Sequence, residues 1–339
     1  MSYRVVVVLF ASLLVCEVRA AVRSADVTIA NGAVKLSGTL YLPERSTPAP
    51  AVVFLHGSGP QTRAGAAPIA QRFAEAGIAA LVFDKRGCGA SSGSWQAASL
   101  ADLASDAVAA VRLLAARADL DRTKIGLWSI SQSGWYAPIA ANQEPAVSFV
   151  IVATGGGASP REVEWAGYER ALSHRGIAGR DLDAARALVR EYLEYLRTGE
   201  GRDELIRHID NVKESAWYPA LSLGRVLPSA ETRPQWEWVA AYEPARDIET
   251  LAVPVLLLFG GKDPFTPASS LERWTTALAR SSAATSTIRT FPEAGHGLIV
   301  GEHRSDVSAP PVYAVGYIET MIAWVNHVAA APHAAPAAG

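Results

Sequence analysis

Cysteine is scarce in this chain: two in 339 residues, Cys16 and Cys88. Two thiols cannot build a zinc-finger ligand set or a disulfide framework. An excess of one charge is missing too. Lys and Arg number 31 against 33 Asp and Glu, for a net charge of −2, and no run of five or six basic residues occurs. That excludes the electrostatic footprint of a nucleic-acid-binding protein. A membrane-length apolar run is also absent. The stretch 5–15 is almost unbroken but covers eleven residues, where a spanning helix needs about 20. Half of the chain is hydrophobic and 19% is charged, a balance that excludes disorder for the bulk of it. A globular chain of this length buries roughly three quarters of its unfolded surface.

The two ends read differently from the middle. Arg4 precedes the apolar run, and Val18 and Ala20 occupy the −3 and −1 positions before Ala21. Together they predict a secretory signal over 1–20, cleaved after Ala20, and hence a periplasmic or secreted protein with no stable membrane span. A buried first strand, an uncleaved anchor and lipidation at Cys16 are the other readings of this stretch. The Ala/Pro-rich residues 329–339 are expected to form a disordered tail.

Between the ends, short apolar segments alternate with helical patterns. Strands are expected at 26–29 and 35–42, around the hairpin signal Asn31-Gly32, and at 51–55, 78–83, 124–129 and 147–153. Helices are expected at 68–76, 100–117 and 132–142. Residues 158–247 break the rhythm: no strand pattern is visible there, and Trp165, Tyr168, Tyr192, Trp217, Trp236 and Trp238 are among nine aromatics in it. Within this stretch 181–198 reads as a helix capped by Asp181 and ended by Gly199. The alternation resumes with a strand at 253–259, a helix at 268–280, a strand at 285–291 and a helix at 311–328. The predicted fold class is therefore α/β: a mostly parallel sheet covered by helices on both faces. The core would comprise 21–157 and 248–328, with a helical cap over 158–247.

Chemistry concentrates at Trp128-Ser129-Ile130-Ser131-Gln132-Ser133-Gly134, between a strand and a helix. A nucleophile held in the sharp turn of such a junction brings the residues two before and two after it together, so both must be small. Ser131 has Ser129 and Ser133 there. Ser129 would have Leu127 as one such neighbour, and Ser133 would have Trp135, so size selects Ser131. At a helix N-terminus the dipole and the Gln132 N–H face a developing oxyanion. A second donor is expected from His56-Gly57-Ser58-Gly59-Pro60, through the N–H of Ser58 or Gly59. A neutral serine also needs a base and a group to orient it. Asp263 and His296 each follow a predicted strand, in Gly261-Lys262-Asp263-Pro264 and Gly295-His296-Gly297, where open α/β sheets place their sites. His303 is the nearest rival histidine.

These pieces, with Asp84-Lys85-Arg86-Gly87-Cys88-Gly89, run through nearly the whole chain in one order. In that order the chain resembles α/β-hydrolase-fold serine hydrolases, the secreted bacterial group similar to dienelactone-hydrolase-like and serine-aminopeptidase-like proteins. The resemblance implies a carboxylic esterase with Ser131, Asp263 and His296 catalytic, Gln132 with Ser58 or Gly59 as oxyanion donors, no cofactor, no metal and a small-molecule ester as partner. It leaves the oligomeric state open. Peptidase, thioesterase and catalytically decayed binding readings share the same residues, and a peptidase would need a cap carboxylate such as Glu162, Glu164, Glu169 or Glu231 to hold an amine. One departure stands out: two glycines of the related elbow are Ser129 and Ser133 here and a histidine is Ile130, which should strain the turn further. Asp84 and Arg86 are expected to hold a loop, and Cys88 to be packing. Gly155-Gly156-Gly157 is expected to be a tight turn, and the aromatic insertion to roof the site.

Overall fold

The computed structural model describes residues 21–221, 223, 227–281, 284–301 and 311–330. The signal-like segment, the tail from 331 onward and His303 lie outside them.

The first two strands, β1 (Val22–Asn31) and β2 (Val34–Pro43), form the expected hairpin, with Asn31 facing Val34 and Gly32 at φ +57°. Six more follow: β3 (Ala49–Phe54), β4 (Ala79–Phe83), β5 (Leu120–Ile130), β6 (Val147–Ala153), β7 (Val255–Gly260) and β8 (Ser286–Phe291). They join one sheet in the order β1-β2-β4-β3-β5-β6-β7-β8. The pairs β1–β2 and β2–β4 are antiparallel, and every later pair is parallel.

The strand sequences show why both faces need helices. In β3, Ala51 and Val53 enter one hydrophobic cluster while Val52 and Phe54 enter the other. In β7, Val255, Leu257 and Phe259 alternate in the same way with Leu256 and Leu258. A strand apolar on both faces is buried on both. The helices run in chain order as α1 (Ala67–Glu75), α2 (Leu100–Ala115) and α3 (Ser133–Gln143). Then come α4 (Pro160–His174), α5 (Gly179–Thr198), α6 (Arg202–Val212), α7 (Tyr218–Leu221) and α8 (Glu237–Ala241). The last three are α9 (Ala245–Glu249), α10 (Ser269–Leu278) and α11 (Tyr317–Ala330). Helices α2, α3, α9 and α10 cover one face, and α1 and α11 cover the other. Helices α4 to α8 lie within the expected cap segment and share a core of their own, including Leu188, Tyr192, Leu196, Leu205 and Trp217. Among the described residues none of these helices is long and apolar enough to cross a membrane.

Two helix starts differ from the sequence reading. Helix α5 begins at Gly179 behind Ala178, so Asp181 is a first-turn acid and not the cap. The chain turns earlier than the acid suggested, at Gly176 and Gly179, both at positive φ. Helix α11 begins at Tyr317 and not at Pro311. The residues before it are held extended, with Val300 donating to the Val312 carbonyl and Ala314 to the Leu298 carbonyl.

Candidate active site

Ser131 sits between β5 and α3 with φ +53°. That is a left-handed conformation, which a non-glycine residue adopts only when its surroundings enforce it. The enforcement is visible. The Ser131 N–H donates to the Ala153 carbonyl at 3.2 Å, and the Gly134 N–H donates to the Ser131 carbonyl at 2.9 Å. The flanking serines are accommodated by hydrogen bonds. Ser133 Oγ accepts from the Ile130 N–H at 2.6 Å and donates to the Ile130 carbonyl at 2.8 Å, while Ser129 Oγ donates to the Ile151 carbonyl at 2.9 Å. Both hydroxyls are buried and satisfied, which offsets the strain expected from replacing glycine.

The glycine run after β6 does more than turn. A Cβ on Gly155 would lie 2.2 Å from the Ser131 carbonyl oxygen and 2.8 Å from its N and Cα, and Gly156 backs onto Gly134 in the same way. The elbow and this loop pack backbone on backbone.

Asp263, after β7, and His296, after β8, are brought together. His296 Nδ1 lies 2.9 Å from Asp263 Oδ2 and 3.1 Å from Oδ1. Asp263 also accepts from the Phe265 N–H at 2.8 Å, the Thr266 N–H at 3.2 Å and the Thr266 hydroxyl at 2.7 Å. Burial alone would push this carboxyl up. The hydrogen bond and charge of His296, with those from Thr266 and Phe265, outweigh it and hold Asp263 below the usual carboxylate range. Thr154, at φ +47°, accepts the Gly297 N–H at 3.1 Å and so braces the histidine loop from the end of β6.

The loop after β3 is pinned by four residues. Tyr136 of α3 accepts the His56 N–H and donates to the His56 carbonyl, both at 2.9 Å. The buried His56 ring bonds the Phe83 carbonyl through Nε2 at 2.6 Å, and burial pushes its pKa down to about 4. The Gly57 N–H donates to Gln61 Oε1 at 3.1 Å. Lys85, 2% exposed, directs its ammonium to the carbonyls of Gly57 at 2.7 Å and Gly59 at 3.2 Å and to Gln132 Oε1 at 2.9 Å. Lys85, Tyr136 and Gln61 were not singled out by the sequence. A lysine at a strand end and a tyrosine in a buried helix carry no local signal of where their tips go.

A cavity of about 600 Å³ joins these parts, within the size range of small-molecule sites. Gly57, Ser58, Ser131 and His296 line it, while Gly59, Gln132 and Asp263 are not among its walls. From the insertion come Val163, Glu164, Tyr168, Arg170, Leu221 and Trp238. Arg170 reaches across to the Pro264 carbonyl and stacks 4.9 Å over the Phe265 ring, tying α4 to the loop that bears Asp263. The other residues flagged by type lie elsewhere. Asp84 takes the N–H groups of Arg63 at 2.9 Å and Ala90 at 3.0 Å, Arg86 pairs with Asp106 at 2.7 Å, and Cys88 is buried with no disulfide partner among the described residues.

Residues 52–309 match the sequence profile of the Alpha/beta hydrolase family. Over 129 residues the chain is 32% identical to the quorum-quenching protein AidA of Acinetobacter baumannii, a match that covers 37% of this chain and 42% of AidA. Its fold is similar to acetyl xylan esterase 1 from Thermoanaerobacterium sp., at 14% identity and a TM-score of 0.52 over 92% of this chain and 89% of that one. It is also similar to a hyperthermophilic esterase from Pyrobaculum calidifontis, at 17% identity and a TM-score of 0.53 over 91% and 87%.

Proposed function

From the premise that this chain belongs to the alpha/beta hydrolase family, we propose that it is a serine hydrolase of carboxylic esters, acting through Ser131, His296 and Asp263. The observation that carries this reading is the His296–Asp263 pair at 2.9 Å, with His296 on the wall of the same cavity as Ser131, itself held at φ +53° at the opening of a helix. With Nδ1–H donated to Asp263, the His296 Nε2 is left as the base. It takes the Ser131 proton as Oγ attacks the substrate carbonyl carbon. The resulting oxyanion accepts the N–H groups of Gln132 and of Ser58 or Gly59. When the tetrahedral carbon collapses, the alcohol leaves with the proton from His296 and an acyl ester remains on Ser131. Water, deprotonated by the same histidine, attacks that ester. The acid departs and Ser131 recovers its proton.

The walls favour an apolar acyl or aryl group, since Ile130, Trp135, Val163, Leu221 and Trp238 line the space above the serine. One wall residue supports a second reading. Of the four cap glutamates, Glu162 closes a capping box and pairs with Arg273, and Glu169 pairs with Arg186. Glu164 alone of the four lines the cavity, open to its solvent yet ringed by protein, and burial pushes its carboxyl up. A substrate amine would find a partner there, so aminoacyl amides form the second arm of the test. The periplasmic or secreted location belongs to the same proposal and is supported by the apolar run 5–15 with Val18 and Ala20.

The test is hydrolysis of p-nitrophenyl esters from C2 to C12 beside aminoacyl-p-nitroanilides, by wild type and Ser131→Ala. Ester turnover lost in the variant is expected. Dominant anilide turnover would favour the peptidase reading, and ester turnover that survives in Ser131→Ala would refute the assignment of the nucleophile.

A further inference from the structure

Among the described residues, Lys85 is the one whose side chain bonds both the loop after β3 and the residue following Ser131. Its ammonium has three protons, and three acceptors surround it: the carbonyls of Gly57 and Gly59 and the side-chain oxygen of Gln132. The carbonyl of Gly57 and the N–H of Ser58 belong to a single peptide unit, and no peptide bond among the described residues is cis. In a trans unit the two groups point in opposite directions. An ammonium drawing on the Gly57 oxygen therefore turns the Ser58 N–H away from itself, and it polarises that N–H as a donor. The N–H of Gly57 is already committed to Gln61, and of the two candidate donors Ser58 lines the cavity. On the other side the same ammonium holds Gln132, whose backbone N–H is the second candidate donor.

The geometry points to Lys85 as a positioning residue of the oxyanion hole, a tether that fixes the N–H groups of Ser58 and Gln132 toward one point and supplies a buried positive charge behind them. This rests on the acyl-transfer reading given above. A purely structural role would be met by any side chain that fills the space. The charge would then be a liability, since burial pushes the Lys85 pKa down to about 8. The titratable groups it interacts with are Cys88 on its own loop and His56 from the loop after β3.

The experiment compares wild type, Lys85→Met, Gln132→Ala and the double variant, each checked for folding by circular dichroism. The readouts are kcat and KM on the best ester and the inhibition constant of a trifluoromethyl ketone whose hemiketal oxyanion occupies the hole. Lys85→Met should lower kcat by roughly 10²–10³, the effect of losing one oxyanion donor, with KM nearly unchanged. The ketone should weaken in parallel. Gln132→Ala, which keeps its backbone N–H, should lose less, and the double variant should be no worse than Lys85→Met, because both act through one tether. Wild-type turnover should fall as pH rises through about 8, whereas the residual activity of Lys85→Met should not show that fall. A folded Lys85→Met with kcat near wild type, or losses that multiply in the double variant, would overturn the tether. If Lys85→Met does not fold, an unchanged kcat in Gln132→Ala overturns it equally. Ser131→Ala, run alongside, keeps the two claims apart: turnover surviving there refutes the triad, whereas turnover lost there but intact in Lys85→Met refutes the tether alone.

Discussion

Replacing Gly155 by alanine adds one methyl group at a confined point behind Ser131. The new Cβ would stand 2.2 Å from the Ser131 carbonyl oxygen and 2.8 Å from both its N and its Cα. A carbon–oxygen approach of about 3.3 Å is the comfortable limit, so one backbone must retreat by about 1 Å. Both partners are main chain, and neither can turn aside as a flexible side-chain tip would. The Ser131 side is bound to Ala153 and Gly134, so the retreat moves Oγ relative to His296 and to the oxyanion donors. A displacement of about 1 Å at a reacting group is worth on the order of 10²-fold in rate, and overpacking of this kind costs about 1–3 kcal/mol of stability. Gly155→Ala should therefore fold, melt several degrees lower, and lose about two decades of kcat while KM changes little. Ester kinetics together with thermal melts by circular dichroism decide it. A folded Gly155→Ala with kcat within threefold of wild type would refute the claim that this contact sets the nucleophile.

Asp263→Asn keeps the shape but loses the charge that His296 leans on, and should reduce kcat on the order of 10⁴-fold; a loss under tenfold would remove Asp263 from its role. His56 is buried neutral, with a pKa near 4 against the ordinary 6.5. Between those values the unfolded chain binds the proton and the folded one does not, so stability present above pH 6.5 is lost as pH falls toward 4, by up to about 3 kcal/mol. Melting of His56→Gln should fall less steeply over that window than wild type, and equal slopes would contradict this. Trp238, half-buried on the cavity wall and 5.8 Å from Trp135, limits the acyl space. Trp238→Ala should move the preferred ester toward longer chains, and an unchanged chain-length profile would show that the wall lies elsewhere.

The sheet was legible because burial on both faces leaves a plain mark: β3, β6 and β7 are predominantly apolar runs between turn residues. The elbow was legible for a steric reason, since of the three serines at the junction of β5 and α3 only Ser131 has small residues on both sides at the required spacing. Asp263 and His296 could be found from their places just past strands, where the sheet delivers side chains to one edge. Supporting groups were harder. Lys85 sits in a segment read as holding a loop, and nothing local tells that its ammonium turns toward Gln132, 47 positions later. Gly155 was read as a turn, because close approach of two distant backbones leaves no more trace in sequence than a glycine. The two helix starts differ for separate reasons: the chain already turns at Gly176 and Gly179, which leaves Asp181 in the first turn, whereas Pro311 precedes a segment held extended by the hydrogen bonds between Val300 and Val312 and between Leu298 and Ala314. Part of the cavity wall comes from separate stretches of the insertion, and only the folded chain unites Val163, Leu221 and Trp238.

The most direct measurement is intact-mass and peptide analysis after incubation with an alkyl fluorophosphonate. One adduct per chain is expected, located on the peptide that carries Ser131, absent from Ser131→Ala and formed far more slowly in Asp263→Asn. Turnover of esters without any adduct on Ser131, or an adduct on a different residue, would contradict it.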